Sequence, residues 1–301
     1  MGGFKRVLVA ALLVAVASAA GCRSPERFRD HLTPAPIDAP AAVPAYDALI
    51  TRYNANVTEL DQVWSTAIVQ ARWVDERGRR QFEQGSGNFI YRRPHDVALT
   101  VGQLGQTALW AGSNADRYWL FDLRSDGEAT FGRHANVGQP CSESLELPVN
   151  PRMVPHLMGL LPLMAAPPGE EPRVAVVNGY FVIDPPGSGL RLWLDSRSAR
   201  PARIDMLDAA GEPALVAMLY SHEPVAMDRL EGADRPRIAT HTNFYVMHDE
   251  LDPANPDLIV ELDVVNDGRR RDQVRDATFD LDRLLRAHRP ATVRDLDAAC
   301  D

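Results

Sequence analysis

A few groups of residues have types and spacings that could do chemistry. The stretch Gly85-Ser-Gly-Asn-Phe-Ile-Tyr-Arg-Arg-Pro94 offers paired glycines and two arginines, as a phosphate-cradling loop would. A dinucleotide fingerprint needs a third glycine at G-x-G-x-x-G spacing before a helix, and Ile90 stands there instead. Ser188 lies in Pro-Pro-Gly-Ser-Gly-Leu, without the G-x-S-x-G spacing of a nucleophile elbow, and reads as a turn between strands. His241 and His248 are seven apart and His134 and His156 are distant, so no histidine set has metal-ligand spacing. Asp249, Glu250, Asp252 and Asp257 form an acidic loop without the regular calcium-loop pattern. Nothing pairs a nucleophile with a base. The expectation is a protein without enzymatic activity, metal or cofactor.

Charge narrows the partners. The chain has 301 residues with 32 Lys and Arg against 41 Asp and Glu, a net charge of −9. Nucleic-acid binding relies on cations that neutralise phosphates, so this acidity argues against it, and equally against a polybasic membrane patch. Lys5 is the only lysine. A mature chain that begins beyond it can do neither Schiff-base nor Walker-type lysine chemistry.

The elements that must position these residues are mostly strands. Tyr46, Leu49, Ile50, Tyr53, Val57 and Leu60 recur at helical spacing after Pro44, which suits a first helical turn. Period-two patterns then predict strands over 67–74, 82–92, 96–101, 107–112, 118–123 and 128–134, joined by polar turns into an antiparallel meander. Residues 148–165 break the pattern. They are rich in Leu, Met and Pro, with Pro148, Pro151, Pro155 and Pro162 limiting them to short helices. A second meander is expected over 174–177, 180–183, 190–194, 202–207, 214–220, 237–247, 258–264 and 275–281.

The first stretch fits this scheme as a strand. Gly85, Gly87, Phe89, Tyr91 and Arg93 share one face, because alternate strand residues point the same way. Glycines at i and i+2 let a sheet bend sharply. Phe89 and Tyr91 bring apolar surface, and Arg93 places a charge at its end.

The N-terminus reads as an export signal. Lys5 and Arg6 precede an apolar run over 7–20 that is too short to span a bilayer. It leads through Ala19-Ala20-Gly21 to Cys22, which resembles the processing site of bacterial lipoproteins. That resemblance implies a signal peptide over 1–21 and acyl chains on Cys22. A plain secretory signal cut after Ala19 or Ala20 is the alternative. Loss of Lys5 and Arg6 leaves 30 basic against 41 acidic residues, a net −11. Residues 22–44 hold five prolines and many alanines and read as a tether. In an oxidising compartment Cys141 and Cys300 could form a disulfide closing a loop of about 160 residues, worth about 5 kcal/mol, or remain two free thiols.

The run Gly85-x-Gly87-x-Phe89-x-Tyr91-x-Arg93-Pro94 resembles the second-strand motif of the LolA/LolB lipoprotein-sorting family. Leu49 and Tyr53 on the first helix, the turn over 112–117 and the aromatic strand Tyr118-Trp-Leu-Phe-Asp-Leu123 are similar too. The resemblance covers 45–134 in motif and the remainder in element order. It implies an α+β fold that is mainly β over 45–301: a strongly curved antiparallel half-barrel, an N-terminal helix and a helical lid at 148–165. It also implies a concave apolar cavity for acyl chains of lipids or lipoproteins. The expected lining is Trp73, Phe89, Tyr91, Leu99, Trp119, Phe121, Met153, Leu157, Met158 and Leu160, with Arg93 as lid gate. Methionines suit adaptable walls, and burying a 16-carbon chain would gain roughly 12 kcal/mol at about 0.8 per CH₂. Arg23 after Cys22, where Asp would mark inner-membrane retention in that family, favours the outer membrane. Leu104 in the loop over 102–106 is an apolar candidate for touching membrane. Residues alone leave open whether the interior is a cavity or a filled core. The second leaves an envelope scaffold that docks a protein partner.

Overall fold

The computed structural model describes residues 32–300, except 75–78, 104–105, 125–126, 144–148, 226–234, 248–257 and 266–273. Residues 1–21, expected as a signal peptide, and Cys22, Arg23, Leu104, Pro148, His248 and the acidic residues of 249–257 lie outside the described residues.

Helix α1 spans Tyr46–Ala55 and buries Tyr46, Leu49, Ile50 and Tyr53 on one face. The expected stripe runs on past the helix, because Val57 and Leu60 are also buried in the turn that follows. Asp47 in the first turn and Arg52 in the last complement the helix dipole.

Six strands follow: β1 (Gln62–Val74), β2 (Arg80–Arg92), β3 (Asp96–Gln103), β4 (Gln106–Ser113), β5 (Arg117–Asp122) and β6 (Glu128–Arg133). A 3₁₀ turn at Pro151–Met153 and the single helical turn α2 (Val154–Leu157) begin a strap over 150–166. Asn150 caps the strap, its side chain accepting from the Arg152 amide. The second run is β7 (Ala175–Val177), β8 (Tyr180–Ile183), β9 (Leu190–Asp195), β10 (Pro201–Leu207), β11 (Pro213–Pro224), β12 (Arg237–Val246) and β13 (Leu258–Val265). Helix α3 (Leu281–His288) and β14 (Thr292–Asp295) close the chain.

All strands join one open, curved sheet in the order β14-β6-β5-β4-β3-β2-β1-β13-β12-β11-β10-β9-β8-β7. Every pairing is antiparallel except β14 with β6. The expected α+β architecture with a curved antiparallel sheet is present.

Two local expectations are corrected. Residues 275–281 are not a strand: Asp276–Thr278 is a 3₁₀ turn and Leu281 opens α3, capped by Asp280, whose carboxylate accepts from the Arg283 amide. Residues 32–44 are not a free tether along their length. Leu32 is buried against Val216, Met218 and Tyr245. The Ile37 amide donates to Asn178 O at 3.0 Å, and Tyr180 Oη donates to Ala35 O at 2.9 Å.

The two faces carry separate cores. One face packs α1, the turn after it and the strap against β1–β3 and β8–β13. The other packs Phe279, Leu281 and Leu284 against Ile90, Ala98, Trp119, Phe121 and Ala129. Cys141 and Cys300 form a disulfide with a Cα separation of 5.0 Å, tying the chain after β6 to the chain after β14. Beside it, buried Asp297 accepts from the Arg133 amide and from Ser142 Oγ.

Candidate functional site

The glycine pair sets the geometry of β2. A Cβ on Gly87 would sit 1.8 Å from Thr100 O, and one on Gly85 2.4 Å from a Val101 methyl. The β2 and β3 backbones therefore meet more closely than any side chain allows. Phe89 lies opposite Ser65 and Leu99, and Tyr91 opposite Val63 and Val97, so these residues face α1 together. Phe89 and Tyr91 have no accessible surface. Burial raises the affinity of the Tyr91 hydroxyl for its proton, while the neighbouring Arg93 guanidinium opposes that.

Arg93 grips the turn after α1 rather than the strap. Its Nη1 donates to Thr58 O at 2.8 Å and its Nη2 to Val57 O. The Arg93 amide donates to Asp61 O at 2.8 Å. The expected contact with 148–165 is made by α1 itself. Asn54 Nδ2 donates to Leu163 O at 2.9 Å, and the Leu163 amide donates back to Asn54 Oδ1 at 2.8 Å. Tyr53 Oη donates to Leu161 O at 3.1 Å. The sequence signal for this staple is slight: one Asn on the polar side of an amphipathic helix.

Phe89, Tyr91, Leu99, Met153, Leu157, Met158 and Leu160 meet in one apolar cluster. Trp119 and Phe121 do not join it. Tyr118 is in register with Ser113, and Ser113 with Val97, so Tyr118 and Leu120 share the face of Tyr91. Trp119 and Phe121 must point the other way, where α3 covers them. Trp73 shares the parity of Val69 but sits half-buried at the end of β1 far from the turn after α1.

Exposure divides the concave face. Phe89, Leu157 and Leu160 are 0% exposed and Met158 1%, so no water-sized probe reaches them. The face is filled there. Further along, Val69, Leu99, Val101, Leu109, Ala111 and Leu120 on β1, β3, β4 and β5 are half-buried. Pairings of Leu99 with Ala111, Ala111 with Leu120 and Val101 with Leu109 place them in adjoining rows of the same face. They form an apolar trough beyond the strap. Leu99 was expected to line the cavity; the other five become visible only once the pairing registers are known.

At one rim Arg124 is bonded to Asp122 through Nε (2.8 Å) and Nη2 (2.6 Å). Half-buried Glu83 feels both groups although β3 and β4 lie between their strands, which reflects the curl of the sheet. Burial raises the Glu83 pKa, and Arg124 partly offsets that. A separate recess of about 450 Å³ lies between residues 38–44, Arg52, Phe181 and Ser196–Arg197, away from the trough residues. Among the described residues no group of three His, Cys, Asp or Glu could hold a metal ion.

The fold and site define an open, curved antiparallel sheet with an apolar trough beside a helix and a strap. The chain is similar to a LolA superfamily protein from Nitrosomonas europaea, at 9% identity and a TM-score of 0.42, covering 74% of this chain and 92% of that one. It is also similar to a DUF1329 family protein from Desulfovibrio piger, at 13% identity and a TM-score of 0.41, covering 78% and 95%. A third is a Vibrio parahaemolyticus domain named for outer membrane lipoprotein sorting, at 14% identity and a TM-score of 0.40, covering 72% and 88%. At these scores the likeness carries no detail of a binding site. No protein-family model and no curated protein matches the chain.

Proposed function

We propose that this is an exported, lipid-anchored envelope protein whose trough binds an acyl chain of a lipid or lipoprotein. Cys22 carries the anchor, on the periplasmic face of the outer membrane. The observation that supports the reading is the run of half-buried apolar residues from Val69 to Leu120, beside a part of the same face where Phe89, Leu157 and Leu160 are closed to water. An acyl chain needs such a surface, and about 0.8 kcal/mol per CH₂ is available from covering it. Met153, half-buried against the cluster at the strap, supplies an adaptable wall. Arg93 acts on opening by holding the turn after α1.

The full burial of Phe89, Leu157 and Leu160 favours a second reading, a filled β-domain that serves as an envelope scaffold. One experiment separates the two. The mature chain with Cys22→Ser is purified, extracted with organic solvent and examined by mass spectrometry, then titrated with a neutral fluorescent monoacylglycerol. Carriage predicts co-purified lipid and saturable binding that Leu99→Asp abolishes. No lipid and no saturable binding would leave the scaffold.

A further inference from the structure

Three basic side chains meet at the ends of three adjacent strands, away from the trough. Arg200 immediately precedes β10, His222 lies near the end of β11, and Arg237 opens β12. His222 pairs with Ala239, and Arg237 with Pro224, so the groups fall on neighbouring positions of the sheet. Arg237 Nη1 donates to His222 O at 3.3 Å, which fixes its guanidinium beside the histidine.

The cluster lacks the acidic partners found around it. Arg191 pairs with Asp184, Arg197 with Asp38 and Arg203 with Asp205. Among the described residues Arg200 and Arg237 pair with no carboxylate. Asp195 is the nearby acid, and its Oδ1 accepts from the Arg197 and Ser198 amides and from Ser198 Oγ. Arg200 Nε and His222 Nε2 are buried without a hydrogen-bond partner. Buried polar atoms are ordinarily partnered, and an orphaned pair of ring and guanidinium nitrogens at one place calls for an acceptor.

Electrostatics agrees. Burial and the two arginines push the His222 pKa down to about 4. Burial and Arg237 lower that of Arg200. The backbone is set for the arrangement, since Ala199 and Ser221, each next to one of these residues, have φ of 56° and 54°.

We infer that Arg200, His222 and Arg237 form a binding site for a phosphate group, whether free or on a lipid. Arginine forks match phosphate oxygens, and the imidazole adds a third donor when its Nε2 carries the proton. The inference does not rest on acyl binding in the trough, because the two surfaces share no residue.

The test is calorimetric titration of the mature Cys22→Ser chain with inorganic phosphate, dihexanoylphosphatidic acid and neutral dihexanoylglycerol. Arg200→Gln and Arg237→Gln are compared with Arg191→Gln, whose arginine pairs with Asp184. Thermal melting checks folding, and Arg237→Gln at the strand end decides if Arg200→Gln fails to fold. The expected result is phosphate binding weakened about tenfold or more by either site variant, and unchanged by Arg191→Gln. Equal affinity for the two phosphates assigns the site to the phosphate group itself. Tighter binding of the phosphatidic acid, lost in the site variants, assigns it to a lipid phosphate. No binding of either phosphate to the parent chain would overturn the inference. So would equal binding of phosphate by all variants, while dihexanoylglycerol binding that the site variants leave unchanged belongs to the trough and not to this site.

Discussion

The concave face has two regions built from the same sheet. Beneath α1 and the strap, over β8–β12, Phe181, Leu192, Leu194, Ile204, Ala217 and Leu219 are all at or below 3% exposure. Further along β1 and β3–β5, past the Pro151–Met153 turn of the strap that packs on β3–β5, Val69, Leu99, Val101, Leu109 and Leu120 remain half-buried. Residue type does not separate the regions, because both are lined by aliphatic side chains. Cover does. Helix α1 is ten residues long and α2 only four, with Pro155 near its start and Gly159 just beyond its end. The strap is too short to close the whole face. The first region therefore stabilises the fold, and the second keeps apolar surface within reach of solvent.

Substitutions can break this contrast. Phe89→Ala empties a site sealed on all sides and should cost about 3–5 kcal/mol, lowering the denaturant midpoint sharply. Arg93→Leu leaves the Val57 and Thr58 carbonyls without their charged donor. It should cost about 2–3 kcal/mol and speed release of an acyl probe. Unchanged release with an intact fold would remove Arg93 from the mechanism. Asn54→Ala breaks the two-way staple to Leu163 and should cost about 1–3 kcal/mol, with faster amide exchange along the strap. Leu99→Ser lies in the open region and should cost about 1 kcal/mol or less, while weakening the probe more than any of the others. Should Leu99→Ser prove as destabilising as Phe89→Ala, the two regions would not differ as described.

The smallest effect is one of pH. The folded-state pKa of His222 is pushed down to about 4 from an ordinary 6.5, so the unfolded chain takes up a proton first. Its contribution to stability is complete above about pH 6.5 and is lost as pH falls toward about 4. His222→Gln should flatten unfolding curves across that window. Solvent access to the half-buried ring makes the change modest.

Much of the sheet could be read from residue spacing, and the misreadings have physical causes. The predicted limits of β2–β4 fall close to the observed ones, although Phe89-Ile-Tyr91 and Val97-Ala98 are buried on both faces of the sheet. Tyr118-Trp-Leu-Phe121 is apolar at every position, because β5 is covered on both faces. Parity alone could not assign Trp119 and Phe121, and the register does. Residues 275–281 carry too few apolar positions to distinguish a strand from the approach to α3, where the Asp280 cap decides. The docking of Leu32 on Val216, Met218 and Tyr245 spans well over half the chain, and no local pattern encodes it. In the candidate site, Phe89, Tyr91 and Leu99 were legible because the glycine pair fixes where they face. Val69, Val101, Leu109, Ala111 and Leu120 were not, because their exposure depends on where the strap ends.

The most direct measurement is methyl NMR of the Cys22→Ser mature chain, labelled at Leu, Val and Ile, during titration with a neutral monoacylglycerol. The account predicts saturable shifts at Val69, Leu99, Val101, Leu109 and Leu120, with Leu192, Ile204 and Leu219 unmoved. Saturable shifts at Leu192, Ile204 and Leu219 alone, or none anywhere, would contradict it.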